Sequence, residues 1–195
     1  AFNVARENVI IDSALEFVRT SSEYYANEAI DEHRRLKHST IALCTGIELL
    51  LKSRLAQEHW SLILQDSDKY KDRDWDRGCF VSVGLPGAMS RIAEICRTPL
   101  SSEAKSTFMD LSELRNRYIH FVCNDTGARV TGIQLRAWHY VLDLLRNRFL
   151  VLSEPQKKLL KEVSEEMTGR QEFLDIRFKE VASDIESAKQ LGRQC

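Results

Sequence analysis

The chain has 195 residues, 28 Lys and Arg against 29 Asp and Glu for a formal net charge of −1, and 43% hydrophobic residues. That length suits one domain with room for an appendage, and the composition excludes wholesale disorder. Near-neutral charge excludes a broad basic surface for nucleic acid, so any such role must rest on a local cluster.

No apolar run reaches the ~18 residues of a transmembrane helix. The N-terminal AFNVARENVI lacks a basic stretch followed by an apolar one, so neither a membrane partner nor a signal peptide is expected, and the expected location is cytoplasmic. The missing initiator Met suggests processing. Cys44, Cys79, Cys96, Cys123 and Cys195 are scattered and never in CxxC spacing. They read as small buried hydrophobes in a reducing compartment rather than as a zinc site or a disulfide framework. No metal and no cofactor is expected. Eight Gly and three Pro leave few breakers, which favours long helices.

Residues 3–28 carry apolar positions at helical spacing, among them Val9, Ile10, Ala14, Phe17 and Val18. A second helix is predicted from about Asp31 to His59. Gly46 inside it costs about 1 kcal/mol relative to Ala and points to a close helix–helix approach. Residues 65–78 (QDSDKYKDRDWDRG) alternate acid and base and read as an exposed loop or lid without calcium-loop spacing. Residues 79–83 read as a short strand or extended piece, and Pro86 opens a short helix to about Arg97. Ser101 or Ser102 is the expected N-cap of the next helix, with Glu103 in its first turn and its end near 124–127. After a turn, residues 133–152 are predicted helical with Leu135, Trp138, Leu142 and Leu145 on one face. Ser153-Glu154-Pro155 starts a charged helical tail with a break at Gly169. The fold class is all-α: a helical bundle of five or more helices over 3–152, followed by a charged helical extension or connector over 153–195.

The chemistry concentrates in Leu111-Ser112-Glu113-Leu114-Arg115-Asn116-Arg117-Tyr118-Ile119-His120-Phe121. At ~100° per residue, Leu111, Leu114, Tyr118, Phe121 and Val122 form the core stripe, while Asn116 and His120 share another face. His120 lies roughly 140° from the centre of that stripe. Arg115 sits at its edge, from where a long side chain reaches either way. Geometry leaves two readings open for the pair: a functional site, or an ordinary exposed His beside an ordinary exposed Arg. Arg54 and His59 repeat the spacing. Leu follows that Arg, however, and the pair ends the second helix rather than a late one.

An Arg, a polar residue directly after it and a His a few residues on resembles the motif of the HEPN superfamily, helical-bundle proteins of which many are metal-independent RNases. The stretch Thr45-Gly46-Ile47-Glu48-Leu49-Leu50-Leu51-Lys52 is similar to the second helix of that family. The resemblance covers roughly 3–152. It implies an endoribonuclease that cuts single-stranded RNA through the 2′-OH, with the motifs of two protomers lining one composite cleft. His120 would be the acid or base and Arg115 the phosphate ligand. Asn116 would orient His120 or bind phosphate or ribose. Glu48 would position Arg115 or His120 from behind, and Arg117 would add an RNA-backbone contact. A toxin or antiviral-defence role follows, with an antitoxin or regulatory partner open. The alternative is a catalytically silent HEPN module for nucleotide binding, dimerisation or docking in a larger assembly. Between Leu111 and Leu150 six Arg face three acids, a mildly basic region. In HEPN toxins paired with a nucleotidyltransferase, a modifiable Tyr stands two residues after the motif His. Here Phe121 and Val122 follow His120, which speaks against control by tyrosine modification.

Overall fold

The structure, a computed structural model, describes residues 2–121, 123–147, 149–170, 173–176, 178–179 and 182. Among these residues seven named α-helices follow in chain order: α1 (Phe2–Ala26), α2 (Glu32–Glu58), α3 (Asp72–Asp76), α4 (Leu85–Glu94), α5 (Ser102–His120), α6 (Gly127–Arg146) and α7 (Glu154–Thr168). Among the described residues there is no named strand, only an isolated antiparallel bridge between Leu64 and Ser82. The all-α reading holds.

The long hairpin of α1 and α2 is the frame. Asp31 caps α2 by accepting from the Arg34 N–H at 2.9 Å, as a short acidic side chain does at an N-cap. Tyr24 stacks on His38, Ser21 meets Ser39, and Gly46 faces Val18, so the helices run antiparallel. Gly46 permits this approach: a Cβ there would come within 2.8 Å of the Val18 side chain and 3.2 Å of the Ala14 carbonyl oxygen.

Leu43, Leu51, Leu55, Phe108, Leu111, Leu114, Ala137 and Trp138 are fully buried between α2, α5 and α6. A polar bridge is buried with them. Gln134 donates to the Leu36 carbonyl at 2.8 Å and to the Thr40 hydroxyl, and accepts from Ser39 at 3.2 Å. Such a satisfied network fixes the register of α6 on α2, and cutting it takes a partner from the buried Thr40 hydroxyl, while Ser39 keeps Ser21. Gln134→Ala is therefore expected to cost about 2 kcal/mol of stability, read from the urea midpoint.

Several boundaries move. Residues 65–78 are not simply an exposed loop. They hold a 3₁₀ turn and α3, and Trp75 is buried, stacked on Phe80 at 5.2 Å and tilted against Trp60 at 5.7 Å. Residues 79–83 are extended but pair only at the single bridge. α4 stops at Glu94, and Arg97 beyond it takes a left-handed φ of 53°. α6 begins and ends six residues earlier than the predicted 133–152, because Thr126 caps it by accepting from the Arg129 N–H at 3.3 Å. Its glycines, Gly127 and Gly132, made that opening read as a turn. Of the cysteines, Cys44 is buried but Cys79 is exposed, so burial does not extend to all of them. Cys195 lies outside the described residues.

The start of the extension docks on the bundle. Gln156 donates to Asp12 at 2.7 Å, Ser22 donates to Glu166 at 2.9 Å, and Val163, Met167 and Phe173 join the core. α7 ends at Thr168 before Gly169, where the break was predicted. Residues 183–195 of the predicted tail lie outside the described residues.

Candidate functional site

Ser101 starts α5 by accepting from the Ala104 N–H at 3.1 Å, and Arg117 and His120 close its last turn, where basic side chains suit the helix dipole. Leu111 and Leu114 are fully buried and Tyr118 nearly so, which fixes the rotation of the helix. That rotation turns Asn116 and His120 to solvent on one face and leaves Arg115 half-buried at the rim. The helix ends at His120 rather than near 124–127, because Asp125, Thr126 and Gly127 are used to open α6. Phe121 is consequently not a core residue: its backbone is extended and its side chain 77% exposed. Ile119 is also half exposed. Val122, the last member of the predicted stripe, lies outside the described residues.

Behind Arg115 lies α2. The buried Cys44 thiol is raised above its ordinary value by burial, lowered by the Arg115 charge, raised by the Glu48 carboxylate, and hydrogen-bonded by Ser112. These four side chains thus share one neighbourhood. Glu48 makes its ion pair with Lys52, at 2.6 Å one helical turn away, and Lys52 also reaches the Ser82 hydroxyl at 2.8 Å. Arg115 has no ion pair among the described residues, and its buried Nε has no hydrogen-bond partner. Arg54 and Arg19 are held by Glu58 and Glu23, whereas the buried Nε atoms of Arg117 and Arg170, like that of Arg115, have no partner. A half-buried guanidinium without a carboxylate is a cation short of its anion.

Arg117 has such a partner. Asp125 binds it at 2.8 Å and Arg129 at 3.0 Å, so one carboxylate holds two guanidinium groups beside the end of α5. Sequence reasoning missed Asp125 and Arg129, although their spacing of four at a helix start was a usable signal. Tyr118 lies against His33 of α2, ring centroids 5.8 Å apart. Burial first, then the neighbouring Cys123 and Asp125, raise its phenol well above the ordinary tyrosine range.

Two cavities lie elsewhere. One of about 670 Å³ lies between the 60–70 loop and α4, and one of about 540 Å³ between α2 and α6; neither includes Arg115, Asn116 or His120. In the first, Arg91 already donates to the carbonyls of Leu62 and Leu64 at 2.7 and 2.6 Å. The α5 end instead exposes Asn116 and His120, with Arg115 half-buried on the same helix. Among the described residues no three His, Cys, Asp or Glu gather as a metal site.

Fold and site together define an all-α bundle that presents a polar, cationic helix end to solvent. No family model matches the chain, and no curated protein and no solved structure matches it.

Proposed function

We propose that the chain is a metal-independent endoribonuclease of HEPN type that cuts single-stranded RNA as a homodimer, in a toxin or antiviral-defence setting. The observation that carries this reading is Arg115: a half-buried guanidinium without an acid partner, on the same helix end as the exposed Asn116 and His120. A phosphodiester supplies the missing anion, and the planar fork matches its oxygens.

Cleavage needs a base on the 2′-OH and an acid on the leaving O5′. One His120 removes the 2′-OH proton while the oxygen attacks the adjacent phosphorus. The P–O5′ bond breaks, and the second His120, from the partner copy, protonates O5′. The products are a 2′,3′-cyclic phosphate and a 5′-OH, with both imidazoles exchanged in charge state. Arg115 from each copy neutralises the phosphorane. Asn116 orients His120 or the phosphate, and Glu48 is a positioning residue acting on Arg115 from the α2 layer. The Asn116 face of α5 carries one imidazole per protomer, so the second His120 comes from a second copy, and the exposed Ile119 beside His120 is apolar surface for that contact.

The test incubates the purified full chain with single-stranded RNA and analyses the ends. Cyclic phosphate ends, formed equally with and without EDTA by a protein of dimeric mass, are expected. A dimer that binds nucleotide and leaves RNA intact would establish the silent docking module instead, and loss of cleavage in EDTA would rule out the metal-free chemistry.

A further inference from the structure

Phe121 stands just past the last turn of α5 with most of its ring in water, its centroid 6.5 Å from that of His120. Its backbone N–H is held by the Arg117 carbonyl at 2.9 Å, so the ring is fixed to the helix end that carries the site. Next to it, Asp125 holds Arg117 and Arg129 together, with its own carboxylate largely covered and the Arg129 side chain 63% exposed. Each guanidinium gives one nitrogen to that carboxylate and keeps further N–H donors. Asp125 thus shares one carboxylate between two guanidinium groups, and the exposed Arg129 side chain keeps donors toward solvent. A third element borders the same end: the Glu32 carboxylate of α2 lies against Gly127 at the start of α6, and His33 lies against Tyr118.

We infer that Phe121, with Arg117 and Arg129, forms a nucleotide subsite in which an unstacked RNA base lies on the Phe121 ring while its phosphate bridges the two guanidinium groups. This inference rests on the nuclease reading above and adds what that reading lacks, namely how the strand is held beside His120. Ring and charges are the two parts of single-strand recognition: an aromatic face accepts any base, and a fixed cationic pair accepts the backbone. The substrate class follows. A base already stacked in a duplex cannot reach the ring, so the subsite selects single strands, loops and bulges. Asp125 is a positioning residue here, since it aims both arginines without touching RNA.

The experiment uses the full chain with His120→Ala, which keeps RNA intact, and a short fluorescent oligoadenylate, free or paired with its complement. Single strand should bind better than duplex. Phe121→Ala should weaken single-strand binding at least about fivefold, and Phe121→Trp should restore it with quenched Trp emission. Arg129→Gln should lower the slope of log affinity against log salt by about 0.7, one phosphate contact. Single-strand affinity unchanged in Phe121→Ala overturns the subsite; if the unmutated chain still cleaves RNA, the nuclease reading survives that failure. A Phe121→Ala protein that becomes monomeric by light scattering also overturns it, because the ring is then a contact between copies. An unmutated chain that neither binds nor cuts RNA removes both readings.

Discussion

Replacing His120 with Ala is expected to lower cleavage of single-stranded RNA by about a hundred- to ten-thousand-fold, the usual range for removing a general acid or base. Arg115→Ala should do comparable damage by stripping charge from the phosphorane. Both side chains sit at the rim or outside the core, so melting temperature and dimer mass should hold. Arg115→Ala should even relieve the buried Nε that lacks a partner. Arg115→Lys separates charge from geometry: a point charge without the fork should recover only part of the rate. The composite site has a further signature. After subunit exchange with an equal amount of the His120→Ala protein, roughly a quarter of dimers keep two intact copies by random pairing. Activity should therefore fall below the half that independent protomers would retain. Cleavage at the original rate in both single variants would sink the assignment.

What could be read in advance was what local rules decide. The α2 start near Asp31, a Ser101 or Ser102 cap on α5, the Gly169 break and the Leu111–Leu114–Tyr118 stripe follow from side chains acting within a turn or two. They sufficed to put Asn116 and His120 on an outward face. What escaped depended on competition or on three-dimensional meeting. Phe121 fits a helical stripe only while the helix continues; Thr126 claims the following residues for α6, and the ring swings out. Trp60, Trp75 and Phe80 have no shared period, so their clustering, and with it the folding of the charged 65–78 segment, is invisible along the chain. The partners of Glu48 and Arg117 were likewise open in the sequence. Lys52 takes the first and Asp125 the second, and Arg115 beside them has no carboxylate partner among the described residues.

The arrangement behind that cation depends on α1 and α2 lying close, and Gly46 is where closeness is tested. Its absent Cβ would meet Val18 Cγ2 at 2.8 Å, and the Ala14 oxygen and Val18 nitrogen at 3.2 Å. The side-chain contact can yield by a rotamer change, but the two backbone atoms belong to a helix that is itself packed. Gly46→Val places a branched side chain in that gap. Even Ala, which would gain about 1 kcal/mol in helix propensity over Gly, meets the backbone. Val gains less and needs more room, so overpacking decides the sign. The expected loss is about 3 kcal/mol in urea unfolding. Adding Val18→Ala removes only the side-chain part of the clash. The double-mutant cycle should accordingly show a coupling of about 1 kcal/mol and incomplete rescue. Cys44 and Glu48 sit within four residues of Gly46 and share a neighbourhood with Arg115. The same variant, assayed below its unfolding midpoint, should therefore also lose cleavage through a displaced Arg115. A Gly46→Val protein as stable as the parent would mean that the α1–α2 gap accepts a side chain, and that Arg115 is not held by this packing.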